Sequence, residues 1–503
     1  MLYKQSINSI ESEKGFALLI LVIVIALTFI TYFVSDLSIT KIKVGQDRNT
    51  LLTLKEAKQA VINYAVTYSD RGIDNDYGVF PHPETIQNGD YGNMPGNVGT
   101  RYTNTIGWLP WRALDLSTLK DEAGTCLFYA VSGTVKLGGT VQSEMINEDS
   151  IGMFQIHDSD DPPNVIQGIN LEDRIVALVI AAGNILPGQV RNPLKVLSNC
   201  GDDYGNVSAY LEGDNNTNNS IISTSVDTVD QFIHATKFSK EETIPYNDKF
   251  LTITRDDVWR AIVKRSDFKQ DMETLTKALA ECVKEYANIP LNTGRRLPWS
   301  TKTDLGLRLN YRNDISYDDD TATEGYSGRY PFFVGSSNDA IDSVGLIEDQ
   351  LFKVTGTCND FGLDWESVTI NLEDDSSKYG QLWSNWKDHF FYIISKSYEP
   401  DSSGTEKTCA DVGTSCIRVN TTEYAGAVIF SGSRLSGITR IDKKVIGEYL
   451  ENAKAVEFNN EKISKTGDRT YIYTDPQTEA INDVMYCIQD KPVGSQLEVM
   501  ECS

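Results

Sequence analysis

The uncharged run GFALLILVIVIALTFITYFVS, Gly15–Ser35, decides how the rest of this chain is organised. Lys14 precedes it and Asp36 follows it, and no charged residue lies between them. A helix rises about 1.5 Å per residue, so a run of this length could cross a hydrocarbon core of about 30 Å once. The sequence therefore predicts a transmembrane helix at 16–35, with everything after it outside the cytoplasm.

The residues at the two ends of the run distinguish between the possible kinds of N-terminal segment. A secretory signal peptide ends in small residues of the A-x-A type, but this run ends in TYFVSDLSIT. Lys14-Gly15-Phe16 stands at its start. This motif resembles the leader of type IV pilin-like proteins, in which a prepilin peptidase cuts after the glycine and methylates the new terminal residue. An ordinary single-pass anchor remains the alternative.

The resemblance implies a leader of residues 1–15 and a mature chain that begins at Phe16. Most members of the family carry a glutamate as fifth mature residue, where this chain has Ile20. In the family that carboxylate neutralises the terminal ammonium of a neighbouring subunit, because an unpaired charge among apolar helices is costly. A subunit with Ile20 cannot do this for a neighbour above it, so the resemblance implies a place at or near the filament tip, as for K-type pseudopilins and X-type minor pilins.

A second apolar pattern continues the helix into the rest of the chain. No proline occurs before Pro81, and the apolar positions after the run fall three or four residues apart on one helical face. These positions are Leu51, Leu54, Ala57, Val61, Tyr64 and Tyr68. The pattern predicts a pilin-like helix over 16–69, whose second half packs on a globular head.

Several segments of the head occur twice in the same order. LFYAVS (127–132) matches FFYIIS (390–395), and VIAAGNILPGQVR matches VIFSGSRLSGITR, with Arg191 answering Arg440. GWLPW (107–111) is paired with RRLPW (295–299), and the segment after Asp248 with the segment after Asp468. We interpret this as a tandem duplication of a helix-plus-sheet unit. The predicted fold is α+β, with the N-terminal helix on an antiparallel sheet, a first head domain at 70–266 and a duplicate at 267–503.

Charge and cysteine content limit the partners and the compartment. A net charge of −25 argues against nucleic acid, since phosphate binding needs clustered Lys and Arg. Eight cysteines follow the apolar run, an even number that favours disulfides in an oxidising compartment. The short-range pairs Cys409 with Cys416 and Cys487 with Cys502 are predicted, and the other pairings stay open. The remaining candidates are Cys126, Cys200, Cys282 and Cys358.

Candidate sites for chemistry are few. The sequence has no G-x-S-x-G, H-E-x-x-H or P-loop motif, so no enzyme activity and no catalytic residue is predicted. Acidic loops offer oxygen ligands for Ca²⁺, with solvated loops as the alternative. The candidate ligands are Asp74, Asp76, Asp318, Asp319 and Asp320. The tryptophans suit core packing or, alternatively, a carbohydrate-binding surface.

Together these features predict a minor pilin or pseudopilin of a type IV pilus or type II secretion filament, near the tip, that primes assembly or contacts a partner. The expected partners are other pilin subunits, the prepilin peptidase and the inner membrane. The expected location is the inner membrane with the head in the periplasm, and the pilus or cell surface after assembly. The alternatives are a membrane-tethered periplasmic hydrolase or binding protein, and a tip adhesin.

Overall fold

The computed structural model describes the chain in the following ranges: 10–71, 76–85, 91–95, 103–136, 145–158, 164–187, 189–191, 200, 206–213, 218–223, 225, 228–234, 246–288, 292–301, 326–331, 378–400, 405–410, 416–434, 440, 448–450, 470–471 and 483–502. Helix α1 (Ile10–Val66) has 57 residues. It is followed by α2 (Arg255–Ile262), α3 (Ser266–Asn288) and α4 (Lys378–Trp386). Two mixed sheets complete an α+β fold.

The first sheet has seven strands and lies against α1. Its strands are β1 (Thr105–Trp108), β2 (Phe128–Val131), β3 (Phe154–His157), β4 (Val165–Gln167), β5 (Ile175–Ala181), β6 (Asp230–Ile233) and β7 (Lys249–Thr254). Antiparallel pairing gives the order β1-β2-β5-β7, and β3 joins the start of β5 and also pairs with β4 and β6. Strand β5 is buried at every position because α1 covers one face and a second apolar cluster, around Leu178 and Ile180, covers the other.

The second sheet also has seven strands and lies against α3. Its strands are β8 (Ser327–Arg329), β9 (Phe390–Ile394), β10 (Ile417–Val419), β11 (Thr422–Phe430), β12 (Thr470–Tyr471), β13 (Val484–Gln489) and β14 (Glu498–Glu501). The antiparallel order is β8-β9-β11-β13-β14. Strand β10 lies beside β11, and β12 runs parallel to β10. We call α1 with β1–β7 the first unit and α3 with β8–β14 the second unit. Their apolar residues, such as Val61 and Val428, belong to one continuous core.

The two units share a four-stranded plan. The order β1-β2-β5-β7 corresponds to β8-β9-β11-β13, with every neighbouring pair antiparallel in both. The register agrees as well, since Phe128 pairs with Ile180 and Phe391 pairs with Ile429. These pairs match the repeated segments LFYAVS and FFYIIS residue by residue.

A repeated arginine contact gives the same correspondence at side-chain level. The Nε of Arg191 donates to the carbonyl of Ala209, and its Nη2 donates to that of Tyr210. In the second unit Arg440 makes the same two bonds to Glu448 and Tyr449. Each guanidinium also lies over the tyrosine ring, at 5.0 Å for Arg191 and 5.1 Å for Arg440. The repeated arginines therefore hold equivalent loops against equivalent sheets.

Two of the repeat pairings expected from sequence differ from the structure. In the second unit, β13 occupies the position that β7 has in the first. The segment after Asp468 instead contributes β12, which pairs with β10. Thr301 pairs with β8 in the second unit as Glu84 pairs with β1 in the first. Counting back from these two residues, Leu297-Pro298 corresponds to Phe80-Pro81 and not to the Leu-Pro of GWLPW. A few matching residues carried those two matches, and the backbone pairing overrides them.

The prediction of a transmembrane helix at 16–35 is wrong for the chain as the structure describes it. Among the described residues, no helix is both long and apolar enough to cross a membrane. The apolar run does not form an element of its own. It continues without a break into a segment that carries Asp36, Lys41 and Lys43, all within the same helix.

Three disulfides are present in the described part of the chain. Cys126 bonds to Cys200, Cys409 to Cys416 and Cys487 to Cys502, so both predicted short-range pairs are formed. Cys282 is also disulfide-bonded, and Cys358 lies outside the described residues. The first bond joins positions 74 residues apart, which restricts the unfolded chain more than the two local bonds do.

Candidate assembly surface

The N-terminal part of α1 is an exposed apolar helix. Phe16 is 65% exposed, Ile20 46% and Phe29 61%, and every residue from 18 to 32 is exposed. The large apolar side chains at 18–25 are consecutive, and successive residues of a helix point about 100° apart. Apolar side chains therefore surround the helix on all sides and do not form a single stripe.

The two threonines of this segment add no free donors to its surface. The hydroxyl of Thr28 donates to the carbonyls of Val24 and Ile25, and that of Thr31 donates to those of Leu27 and Thr28. Each of these hydroxyls therefore donates its hydrogen to an acceptor within the helix. The segment 16–31 can thus be enclosed by other apolar surfaces without leaving a threonine hydroxyl unsatisfied.

The helix enters the head at Thr50. Thr50 is buried, and its hydroxyl accepts the backbone N–H of Glu122. From Leu54 onward the predicted apolar face is buried against the first sheet, whereas Leu51 stays 42% exposed. Lys58 fixes the helix further along by donating to the carbonyl of Thr252 at 2.7 Å and pairing with Asp257 at 3.0 Å.

The predicted processing residues lie in the exposed half of α1. The helix begins at Ile10, so Gly15 and Phe16 are both helical, and the start differs from the predicted one at Phe16. Ile20, the predicted assembly position, has an exposed side chain. All three residues therefore precede Thr50, where the helix enters the head.

Of the predicted calcium ligands, the structure describes Asp76. Asp76 is buried near the end of α1, while Asp74 and Asp318, Asp319 and Asp320 lie outside the described residues. Within the described ranges there is no group of three or more His, Cys, Asp or Glu side chains that could hold a metal ion. The described residues thus give no support to a Ca²⁺ site at Asp76.

The predicted tryptophan packing is largely as expected. The side chains of Trp108, Trp299, Trp383 and Trp386 are buried, and Trp111 is partly buried beneath the guanidinium of Arg112 at 4.9 Å. Trp386 lies 6.1 Å from the ring of Trp259, between the two units. These rings fill cores and do not form an exposed binding surface.

A buried polar junction between the units escaped the sequence analysis. We use "junction" for Glu148 and Asp149 of the first unit with His389, Arg434 and Arg440 of the second. Glu148 Oε2 lies 3.0 Å from Arg440 Nη1, and Glu148 also accepts the backbone N–H of Arg434 and the indole N–H of Trp259. The side chains of Glu148 and Arg440 are 6% and 1% exposed. Charges so deeply buried are tolerated only when they are paired.

Asp149 and His389 form the other half of the junction. The Nε2 of His389 lies 3.2 Å from Asp149 Oδ2, which also accepts the hydroxyl of Tyr449 at 2.9 Å. Arg440 Nη1 lies 3.4 Å from His389 Nδ1. A neutral imidazole protonated at Nε2 fits both neighbours, because Nδ1 then accepts from the arginine. Burial lowers the pKa of His389, Asp149 raises it and Arg440 lowers it.

We expect the junction to make stability depend on pH. Because the pKa of His389 is lowered in the folded state, the unfolded chain takes up its proton first, near the ordinary value of 6.5. The free energy of unfolding should therefore fall as pH drops below about 6.5, by at most about 1.4 kcal/mol per pH unit for this group. Denaturant titrations from pH 8 to pH 5 measure the slope, and His389→Gln should reduce it.

His234→Gln is the matched control for that measurement. Burial also lowers the pKa of His234, but its ring is only partly buried and lies away from the junction. It should account for a smaller part of the slope. A slope that is unchanged in His389→Gln would show that the histidine does not couple stability to pH.

Comparisons with known proteins identify no relative: no family model, no curated protein and no solved structure matches this chain.

Proposed function

We propose that this protein is a subunit of a filament of the type IV pilin kind, held in place by the exposed half of α1. One observation carries the proposal: a helix that is apolar on all sides projects from a folded head. A helix of this type is stable in water only when other apolar surfaces enclose it. The enclosing surfaces are the corresponding helices of other pilin-like subunits.

The circumference of the apolar surface favours a bundle over a pair of helices. A two-stranded coiled coil buries one stripe of each helix and leaves charged residues on the outside. The segment 16–32 has no charged residue at all. Several neighbours are needed to cover it, and a filament core supplies them.

The position of the second unit supports a place near the tip. Arg265, directly before α3, donates to the carbonyl of Val66 at the end of α1 and pairs with Asp70. The second unit therefore begins beside the C-terminal end of α1, away from the exposed residues 18–32. Together with Ile20 in place of a carboxylate, this arrangement suits a terminal subunit that primes assembly or contacts a partner.

Disulfides and the leader motif indicate where the protein works. Three disulfides with buried cysteines suit an oxidising compartment. The proposal therefore locates the head outside the cytoplasm, in the periplasm or on the cell surface. The prepilin peptidase is the processing partner that Lys14-Gly15-Phe16 implies.

Replacing Gly15 with tryptophan is expected to leave the precursor uncut. The resemblance implies cleavage after Gly15, where a bulky residue would prevent it. Intact-mass measurement should find the variant heavier than the wild type by the 15-residue leader, and the wild type should begin at N-methyl-Phe16.

Leu18→Ile is the matched control, since it changes an exposed apolar residue after the cut and should be processed normally. If Gly15→Trp and the wild type have the same mature terminus, the pilin-type processing is excluded.

A further inference from the structure

The two units of this chain are stacked in the same direction. In each sheet we call the end where the central strand, β5 or β11, finishes the near end, and the end where it starts the far end. The first unit contributes its far end to the contact, through Glu172 shortly before β5 and Asp256 shortly after the antiparallel β7. The second unit contributes its near end, because Arg434, which pairs with both carboxylates, lies shortly after β11. The units therefore meet head to tail.

The buried junction has the same polarity. Glu148 lies at the far end of the first unit, where Arg255 at the start of α2 donates to its carbonyl. His389 lies at the near end of the second unit, since it directly precedes Phe390, which pairs with Phe430 at the end of β11. The junction and the pairs of Arg434 thus belong to one contact between a near end and a far end.

Helix α1 enters the head at the near end of the first unit. Lys249, the first residue of β7, pairs with Asp47 of α1 and with Glu122. The neighbouring Asp121 accepts the backbone N–H of Gly183, just after β5. The exposed half of α1 and the segment that follows β5 therefore lie at the same end of the head.

The segment after β5 presents exposed apolar side chains on a fixed backbone. We call its residues 182–187 and 189–191 the β5 loop. Ile185 is 59% exposed and Val190 is 81% exposed. The guanidinium of Arg191 donates to the carbonyls of Ala182 and Gly183, which ties the end of the loop to its beginning. The loop is thus held in place without its apolar side chains being covered.

The repeat shows what the corresponding loop does in the second unit. Aligning VIAAGNILPGQVR (179–191) with VIFSGSRLSGITR (428–440) places Ile185 opposite Arg434. Arg434 docks the second unit on the first, reaching Glu172 at 3.2 Å and Asp256 at 3.1 Å. The same position is therefore a docking contact in one unit and an exposed apolar residue in the other.

We propose that the β5 loop docks the first unit on the head of the next pilin-like subunit of the filament, a different chain, as Arg434 docks the second unit on the first. This inference rests on the proposed function, because α1 leaves the head at the same end and would run into the filament core beside that subunit. Ile185 replaces the guanidinium that needs carboxylate partners. The surface that receives the β5 loop is therefore apolar, in contrast to the acidic far end of the first unit.

A second copy of this chain offers a poorer surface for the β5 loop. The copy would have to present the far end of its second unit, where Val493 is exposed among charged residues. These charged residues form the pairs Arg418 with Glu423 and Lys491 with Glu498. Covering them with apolar side chains would remove water from the charges without supplying new partners. The far end of the second unit is thus left free, as a place at the tip requires.

Paired substitutions test the docking in cells that make the other pilin-like subunits. Ile185→Asp combined with Val190→Asp should lower the amount of this chain in the sedimenting filament fraction at least tenfold, because each carboxylate would face an apolar surface. Both side chains are exposed, so the head should unfold at the wild-type denaturant concentration. Val493→Asp is the matched control: it replaces a 62% exposed valine at the other end of the stack and should leave incorporation unchanged.

A photocrosslinker identifies what covers the β5 loop. With p-benzoylphenylalanine in place of Val190 of the full chain, the adduct should contain the head of a different protein that has a pilin-type leader. The same label at Ile23 should give adducts with the helices of such proteins. If Ile23 gives them and Val190 does not, or if Val190 captures a second copy of this chain or a protein without that leader, the docking is wrong while the filament proposal stands. If neither position captures a pilin-like subunit, both proposals are overturned.

Discussion

Replacing Glu148 with glutamine is expected to lower the free energy of unfolding by about 3–5 kcal/mol, the usual cost of removing one partner from a buried ion pair. Glu148 neutralises Arg440, whose side chain is 1% exposed, and it accepts the N–H groups of Arg434 and Trp259. Glutamine keeps the shape but loses the charge, so the guanidinium of Arg440 stays buried without its counterion. Denaturant unfolding followed by tryptophan fluorescence measures the loss directly, since Trp259 donates to Glu148.

Glu172→Gln is the control that separates the effect of burial from the effect of losing a charge. Glu172 pairs with Arg434 across the same boundary, but both side chains are 18% exposed. A pair accessible to water contributes about 0–1 kcal/mol, so this variant should unfold close to the wild type. If both variants lost the same free energy, burial of the junction would not be what makes Glu148 important. A Glu148→Gln protein as stable as the wild type would contradict the prediction outright.

The junction could not be found from sequence, whereas the packing face of α1 could. Leu54, Ala57, Val61, Tyr64 and Tyr68 are neighbours along one helix, so a period of three to four residues reveals them. Glu148 and Arg440 are far apart in the chain and meet only because the second unit folds back on the first. No local pattern encodes such a contact.

The repeated segments show how far similarity within a sequence can be trusted. LFYAVS and FFYIIS identify equivalent strands because both segments are central, buried and fixed by pairing on two sides. The segment after Asp468 resembles that after Asp248, yet β13 and not β12 takes the place of β7. A few matching residues cannot establish which neighbour a strand pairs with, because strands at different places in a sheet use the same alternation of side chains.

The apolar run at the N-terminus shows a different limit. Composition correctly indicated a continuous helix, which extends from Ile10 to Val66. It did not indicate what the run faces, because the same uncharged residues suit any apolar surroundings. The structure leaves the side chains at 18–32 exposed and finds, in the described chain, no helix fit to cross a membrane. Their surroundings must therefore be established by substitution.

Introducing aspartate at both Ile23 and Leu27 is expected to abolish incorporation of the full chain into filaments of pilin-like subunits, with at least a hundredfold less of this chain in the sedimenting fraction. An unpaired carboxylate enclosed by apolar helices costs several kcal/mol, and the variant would carry two. The head should unfold at the wild-type denaturant concentration, because both side chains are exposed and lie before the helix enters the head. Ile23→Val with Leu27→Ile is the matched control and should assemble normally.

An aspartate scan of positions 18 to 30, one residue at a time, distinguishes a surrounding bundle from a single partner. If several helices enclose the segment, every position faces an apolar neighbour and each variant should lose assembly to a similar degree. If one partner covers a stripe, the losses should recur every three to four residues and the positions between them should tolerate the charge. A uniform tolerance of aspartate would mean that the segment is not enclosed at all, and the filament proposal would then lose the observation on which it stands.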